Sequence, residues 1–256
     1  MKRLTVLALV TAVTASAAIH WVNDDASSFT PPGTGCTVAG YATIQAAVNA
    51  ASTGDTINVC PGLYTENVTI DKSNLTVVSA GGASAATINA ALSYYVVYIT
   101  KPNVTLDGFK ILPAGSADPD LGVFVAIEGD AGAVIVHNTI LGGRLGINLG
   151  CSSSGSTVAH NTVNGAFEAG INVDLCEAPP FPASDNNSVH HNTVCGGTFP
   201  YSIAVGGGSS NQIHHNAARW ISVGAGSNNV HHNTAEAFLI APGNKTNDNV
   251  VADVCP

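Results

Sequence analysis

Short bursts of alternating apolar and small or polar residues recur along the second half of the chain. They read "GINL" at Gly146, "GINV" at Gly170, "SIAV" at Ser202 and "WISV" at Trp220. A period of two is the pattern of a strand that buries one face. Turn-forming clusters, "GCSSSGS", "GGGSSN" and "GAGSNN", follow three of these bursts. Between the bursts a second motif returns: "VHHNT" at Val189 and Val230, "IHHNA" at Ile213, "VHNT" at Val136 and "AHNT" at Ala159. Its asparagines, Asn138, Asn161, Asn192, Asn216 and Asn233, are spaced by 23, 31, 24 and 17 residues. The longest interval carries a proline-rich insertion, "CEAPPFPASDNN".

Earlier segments join the series less regularly. "NVTIDKSNLTVVSAGG", "YYVVYITKPNVTLDGFKI" and "VFVAIEGDAGAVIVHNTI" each read as strand, turn, strand. "TLDGFKI" aligns with "VIVHNTI", which puts Gly108 and Phe109 where His137 and Asn138 stand. A repeat in the low twenties built from short β-branched strands predicts a solenoid. Leucine-rich repeats share that period, but their dense leucine pattern is absent. Ahead of the repeats, Ile44, Ala47, Val48 and Ala51 fall at helical spacing in "YATIQAAVNAASTGD", predicting an amphipathic helix closed by Gly54. A helix there would cover the open edge of the first turn. The chain therefore divides into a leader over residues 1–18, an N-terminal segment with a short capping helix over 19–53, and an all-β solenoid over 54–256.

The leader has the layout of a secretory signal: Lys2 and Arg3, an apolar core from Leu4 to Val13, then the small residues Ala15-Ser16-Ala17. It is too short for a membrane span, and no later segment is apolar enough to be one. Cleavage near Ala17 or Ala18 would make the protein secreted or periplasmic. Only 10% of residues are charged. Without Lys2 and Arg3, six basic residues face seventeen acidic ones, a net charge of −11 (6 − 17). Nucleic acid is excluded as a partner, because its binding needs clustered cations. Six cysteines at wide spacing, with no C-x-x-C, suit disulfides in an oxidising compartment. Cys36 with Cys60 would tie down the N-terminal segment. Cys151 and Cys176 follow equivalent "GIN" segments, which leaves Cys195 for Cys255.

Asparagine tolerates a left-handed backbone and bonds to neighbouring backbone, so the recurrent asparagines are expected to turn a corner and stack into a ladder about 4.8 Å apart. In "VHHNTV", Val189 and Val194 would point inward, with Thr193 and His190 outward. The histidines form two files: His137, His160, His191, His215 and His232 in one, His190, His214 and His231 in the other. Imidazoles one turn apart in the second file are candidate ligands for copper or zinc. They equally suit a solvated polar file, since parallel side chains lack the convergence a metal site needs.

The stretch "ATIQAAVNAASTGDTINVCPGLYTENVTIDKSNLTVVSA" resembles the opening of right-handed parallel β-helix proteins of the pectin-lyase-like superfamily. The "HNTI…GINL" units resemble the β-helix repeats of the copper-site accessory protein NosD and of mannuronan epimerases. The resemblance covers about Tyr41 to Val254 and implies a single right-handed parallel β-helix. It also implies polysaccharide or cell-surface glycan as partner, met on the outer face of the "GIN" strands. Outward positions there are Asn148, Asn172, Ala204 and Ser222, then Gly150, Asp174, Gly206 and Gly224. Arg144, Glu168, Arg219 and Glu236 lie just before these strands. Glu168 and Asp174 are candidate catalytic carboxylates of a glycosidase, which need about 5–9 Å of separation. Arg144 is their candidate companion, while Asn148, Asn172, Arg219 and Glu236 are candidate substrate contacts. Asp118, Asp120, Glu128 and Asp130 are candidate calcium ligands or a solvated loop.

Several family signatures are missing: the "GTVDFIFG" type of segment of pectin methylesterases, the "GHG" and "RIK" of polygalacturonases, and the "YGxDPH" type of mannuronan epimerases. Few cations also fit a polyuronate lyase poorly. Two readings remain open. One is a secreted β-helix that binds or processes carbohydrate in the manner of a polysaccharide lyase or hydrolase. The other is a non-catalytic scaffold, linked to metal through its histidines.

Overall fold

A computed structural model describes residues 16–83, 85–115, 120–127, 132–150, 153–173, 184–196 and 201–255. The chain winds into successive coils, and the complete ones present strand to each of three faces. The first sheet stacks Ile19–Val22, Thr56–Val59, Thr76–Ser79, Thr105–Asp107, Val134–Val136, Thr157–Ala159, Ser188–His190, Gln212–His214, Asn229–His231 and Lys245–Asn247 in that order. The second sheet runs from Gly62–Thr65 to Val250–Val251, and the third begins with Val68–Ile70 and Tyr95–Ile99. The long strands Ala217–Val223 and Thr234–Ile240 bend through the corner and serve both. All these pairings are parallel; the antiparallel pair described is the small hairpin Gly33–Gly35 with Val38–Ala39. The fold is thus the expected parallel β-solenoid.

Stacking places like on like. Ile57, Val77, Leu106, Ile135, Val158, Val189, Ile213 and Val230 form one inward column along the first sheet, all essentially inaccessible. Val97, Val123, Ile147, Ile171, Ile203 and Ile221 form its counterpart on the third. Each such side chain contributes about 1.5–3 kcal/mol by leaving water. β-Branched residues suit these positions because their one or two allowed rotamers match the pleat. Val189 and Val194 point inward and Thr193 outward, as the motif predicted.

The asparagine ladder exists, with a different residue at the bend. The left-handed residues are the histidines: His137, His160, His191, His215 and His232 have φ of 54–57°. Gly108 and Asp248 occupy the same conformation in flanking coils. Histidine is one of the few side chains enriched in this region. The left-handed residue turns the next one inward, so Asn138, Asn161, Asn192, Asn216 and Asn233 are buried. Each side-chain amide donates to the Oδ1 of the next, from Asn138 through to Asn249, at 3.0–3.1 Å. The same Oδ1 accepts the preceding coil's backbone N–H, and Phe109 N–H begins the series by donating to Asn138.

A second ladder flanks the other end of the same strands. Ser156 N–H donates to Asn187 Oδ1, and the chain continues through Asn211 and Asn228 to Asn244. Every strand of the first sheet from Ser188–His190 onward is therefore bracketed by two inward amides.

The N-terminal helix is shorter than its apolar spacing suggested, covering Ile44–Ala50. Thr43 Oγ1 accepts from Ala46 N–H, and the Glu66 carboxylate accepts from the N–H groups of Ile44 and Gln45. An anion is favourable at that end of a helix. The helix buries Ile44, Ala47 and Val48 against the first coil, while Gly54 (φ 94°) sits in the turn beyond. The N-terminal strand is anchored by Asp55, whose oxygens accept from Ala18 and Ser52 N–H and lie 2.9 Å from His20 Nε2. Burial pushes the Asp55 carboxyl up, but these hydrogen bonds outweigh it and hold it below the usual carboxylate range.

Cys36–Cys60 and Cys195–Cys255 are bonded as expected. Cys151 and Cys176 lie outside the described residues. No helix among the described residues is long and apolar enough to cross a membrane.

Candidate functional site

The outer face of the third sheet carries one outward column in register: Thr69, Tyr98, Phe124, Asn148, Asn172, Ala204, Ser222 and Leu239. Its chemistry changes along the axis from aromatic to amide to small. Tyr98 and Phe124 stack with centroids 5.4 Å apart and planes 6° from parallel. Tyr95 leans on both, at 4.8 and 4.9 Å, and Tyr94 meets Tyr95 edge-on. Tyr95 and Phe124, together with Tyr201, pack on a small apolar cluster of Leu121, Leu145 and Ala169, separate from the main core. A cleft of about 350 Å³ opens beside them, lined by Asn67, Leu92, Tyr94, Tyr95 and Tyr98. Asn67 shapes its rim by accepting from the N–H groups of Ala91 and Leu92 and donating to Tyr95 O. The aromatic shelf has no signal in the sequence pattern, because Tyr98 and Phe124 become neighbours only through the register of separate coils.

The next two coils bring the predicted residues together. Asn172 Nδ2 donates to Asn148 Oδ1 at 2.6 Å, and Asn172 Oδ1 is buried without a partner among the described residues. Arg144 and Glu168, just ahead of these strands, form an ion pair with Nη1 to Oε2 at 2.7 Å. It is partly exposed, so its attraction is screened and stabilises the fold little. Arg219 and Glu236 pair more loosely, Nε to Oε1 at 3.4 Å, two coils further on. Asp174, the expected partner carboxylate of Glu168, lies outside the described residues. So do Asp118, Glu128 and Asp130 of the calcium group. The fourth member, Asp120, is buried with Oδ1 unpartnered among the described residues, and its carbonyl accepts from Arg144 N–H.

The corner between the first and second sheets carries eight histidines in two parallel columns. His190, His214 and His231 stack at 4.9–5.0 Å, as do His191, His215 and His232. As these rings stand, the first file alone does not converge on one ion. Nitrogens bonded to one metal at about 2.0–2.1 Å are at most about 4.2 Å apart, and parallel rings 5 Å apart hold their equivalent nitrogens further than that. Within each coil the two files do converge. The Nδ1 atoms of His190 and His191, His214 and His215, and His231 and His232 lie 2.9, 3.0 and 2.8 Å apart.

An aspartate stands at each end of the array: Asp107 with His137 at 2.9 Å and Asp248 with His232 at 3.5 Å. His214 is pushed down to about 4, by burial first and then by the charges of His190, His231, His215 and His191. Burial, followed by neighbouring imidazoles, also lowers His190, His191 and His231. These rings are neutral at pH 7.

No family model matches the chain, and no curated protein matches it. Solved structures do. Pectate lyase Pel9A superposes with a TM-score of 0.57 at 14% identity, over 94% of this chain and 79% of that one. A DFA-IIIase from Arthrobacter chlorophenolicus A6, solved without its lid in complex with GF2, gives 0.56 at 14% identity, over 79% and 57%. This chain thus spans little more than half of that enzyme. A pectin methylesterase from carrot gives 0.51 at 13% identity, over 95% and 86%. At such identities the likeness is one of fold.

Proposed function

We propose, from the pectin-lyase-like parallel β-helix that this chain forms, that it is an exported carbohydrate-binding protein whose glycan lies along the outer face of the third sheet. One observation carries the reading: an aromatic shelf of Tyr98 and Phe124, with Tyr95 packed against both rings, shares a register with the amide pair Asn148 and Asn172. A sugar ring has an apolar C–H face that stacks on an aromatic ring, and hydroxyl edges that exchange hydrogen bonds with amides. Successive coils stand about 4.8 Å apart along the axis, and the steps a glycan can reach there are Tyr98, Phe124 and Asn148, with Asn172 buried behind Asn148 as the group that orients its amide. Arg144 and Glu168 supply a donor and an acceptor already oriented by each other. Preorganised polar groups beside an apolar surface are the usual composition of a ligand site.

Charge narrows the ligand class. With few cations in the mature chain and Arg144 engaged by Glu168, a neutral glycan suits this face better than a polyuronate. The solved likenesses support a carbohydrate partner, since the DFA-IIIase was solved with GF2 bound. Glu168 held by Arg144 serves as a binding acceptor. Hydrolysis would require a second carboxylate at about 5–9 Å, and Asp174 is the residue to test for it. Export rests on the leader over residues 1–18 and on the two disulfides.

The test is a panel of neutral and acidic glycans scored for binding and, by mass spectrometry, for shortened or unsaturated products. Phe124→Ala and Glu168→Gln should each weaken the best neutral ligand by about tenfold, the loss of roughly 1.4 kcal/mol, with circular dichroism unchanged. Full binding in both variants removes this face as the site. Products that vanish in Asp174→Asn would make the protein an enzyme.

A further inference from the structure

The histidine corner lies away from the glycan face and plays no part in that reading. Its rungs have a separation that metal chemistry uses. Two ligands at right angles, each about 2.0–2.1 Å from an ion, have nitrogens about 2.9 Å apart; tetrahedral ligands sit at about 3.3 Å. The Nδ1 atoms within each rung are 2.8–3.0 Å apart. In the free protein that gap is closed by an N–H···N hydrogen bond from one imidazole to the other. An ion takes the place of the shared proton when the donor ring moves its hydrogen to Nε2, so binding requires no net loss of protons.

One rung differs from the others. Ala159 occupies, one coil earlier, the place of His190, so His160 has no histidine partner within its own coil. Its ring instead stacks on His191 at 5.0 Å and stands edge-on to His190 at 5.8 Å. Ligand atoms of His160, His190 and His191 all lie within 4.8 Å of one another. His160 is exposed, and its ring, which also stacks on His137 at 5.3 Å, has to rotate to bring a nitrogen to bonding distance.

We propose that His160, His190 and His191 bind one divalent transition-metal ion of the copper–zinc class, with the rungs His214/His215 and His231/His232 as weaker two-ligand sites. Imidazole is a preferred ligand for both metals. The backbone preorganises the set: His191 is fixed in the left-handed conformation and its neighbour Asn192 is locked in the ladder. Adjacent rungs repeat every 5 Å, so two divalent ions placed on neighbouring rungs repel and the three-ligand rung fills first.

The experiment titrates copper(II) into the intact, untagged protein under electron paramagnetic resonance, with zinc(II) calorimetry alongside. The first equivalent should bind with a nitrogen-rich signal. His190→Gln and His160→Gln should each lower its affinity by about tenfold or more, while His231→Gln leaves it within about twofold. His191→Asn keeps a residue that accepts the left-handed backbone and should behave like His190→Gln. Equal losses in His190→Gln and His231→Gln would mean adventitious binding to surface imidazoles and overturn the proposal. An unaltered first equivalent in His160→Gln would overturn the third ligand. Thermal midpoints confirm that each variant is folded, and glycan binding should be unaffected throughout.

Discussion

Removing one amide from the middle of the ladder should cost far more than removing one from its end. Asn192 is buried, and its Nδ2 donates to Val158 O at 2.8 Å, His190 O at 3.0 Å and Asn216 Oδ1 at 3.0 Å. Its Oδ1 accepts from Asn161 N–H at 3.0 Å and Asn161 Nδ2 at 3.1 Å. Asn192→Ala strands the Asn161 N–H and the Val158 carbonyl in the core. Each buried group left without a partner costs about 1–3 kcal/mol, and the vacated volume adds to this, so the expected loss is about 3–5 kcal/mol. Asn249 makes equivalent bonds to Asn233 and Val230 but is partly exposed, so water can replace it. Asn249→Ala should cost about 1 kcal/mol. Equilibrium urea unfolding followed by far-ultraviolet circular dichroism reads both. Equal losses, or a loss below about 1 kcal/mol for Asn192→Ala, would refute the ladder as a main support of the corner.

Two further outcomes follow from ionisable groups. The lowered histidines bind fewer protons folded than unfolded between about pH 4 and the usual imidazole value of about 6.5, so their stabilising effect is complete above that window and is lost as the pH falls through it. The urea midpoint should drop between pH 7 and pH 4.5, and His214→Gln should flatten that slope by about 1 kcal/mol once solvent screening is allowed for; an unchanged slope would show that the array does not govern it. Cleavage after Ala17 would leave the α-amino group of Ala18 on the buried Asp55 carboxylate. Mass spectrometry of the exported protein should find Ala18 first, and Asp55→Asn should cost about 3 kcal/mol, whereas a start at or beyond Ile19 would rule the contact out.

The solenoid was legible because its inward columns repeat in sequence as well as in space. The alignment of "TLDGFKI" with "VIVHNTI" holds residue for residue: Asp107 pairs with Val136, and Phe109 N–H meets Asn138. The bend was misassigned to asparagine because both members of a His-Asn pair tolerate a left-handed backbone, and only the fold reveals which one turns. The second ladder was hidden for another reason. Asn187, Asn211, Asn228 and Asn244 sit among serines, glycines and other asparagines that read as turn formers. Arg144 with Glu168 and Asn148 with Asn172 were found from equivalent places in adjacent repeats. The aromatic shelf escaped because Tyr98 and Phe124 belong to the early coils, where loop lengths blur the repeat. The convergence of the histidine files depends on side-chain rotamers, which spacing does not encode.

The paired ladders also decide where this protein can change length. The two inward amides stand five positions apart in every bracketed coil, from Asn187–Asn192 to Asn244–Asn249. The step from one coil's second amide to the next coil's first runs from 11 positions (Asn233 to Asn244) to 26 (Asn161 to Asn187). One strand per coil is thus clamped at both ends, and every insertion or deletion is diverted to the other corners. Doubling a loop there costs only about 0.6 kcal/mol. New binding segments can accordingly be acquired or engineered beside the third sheet, coil by coil, while the register of the whole stack is kept by amides that never face the ligand.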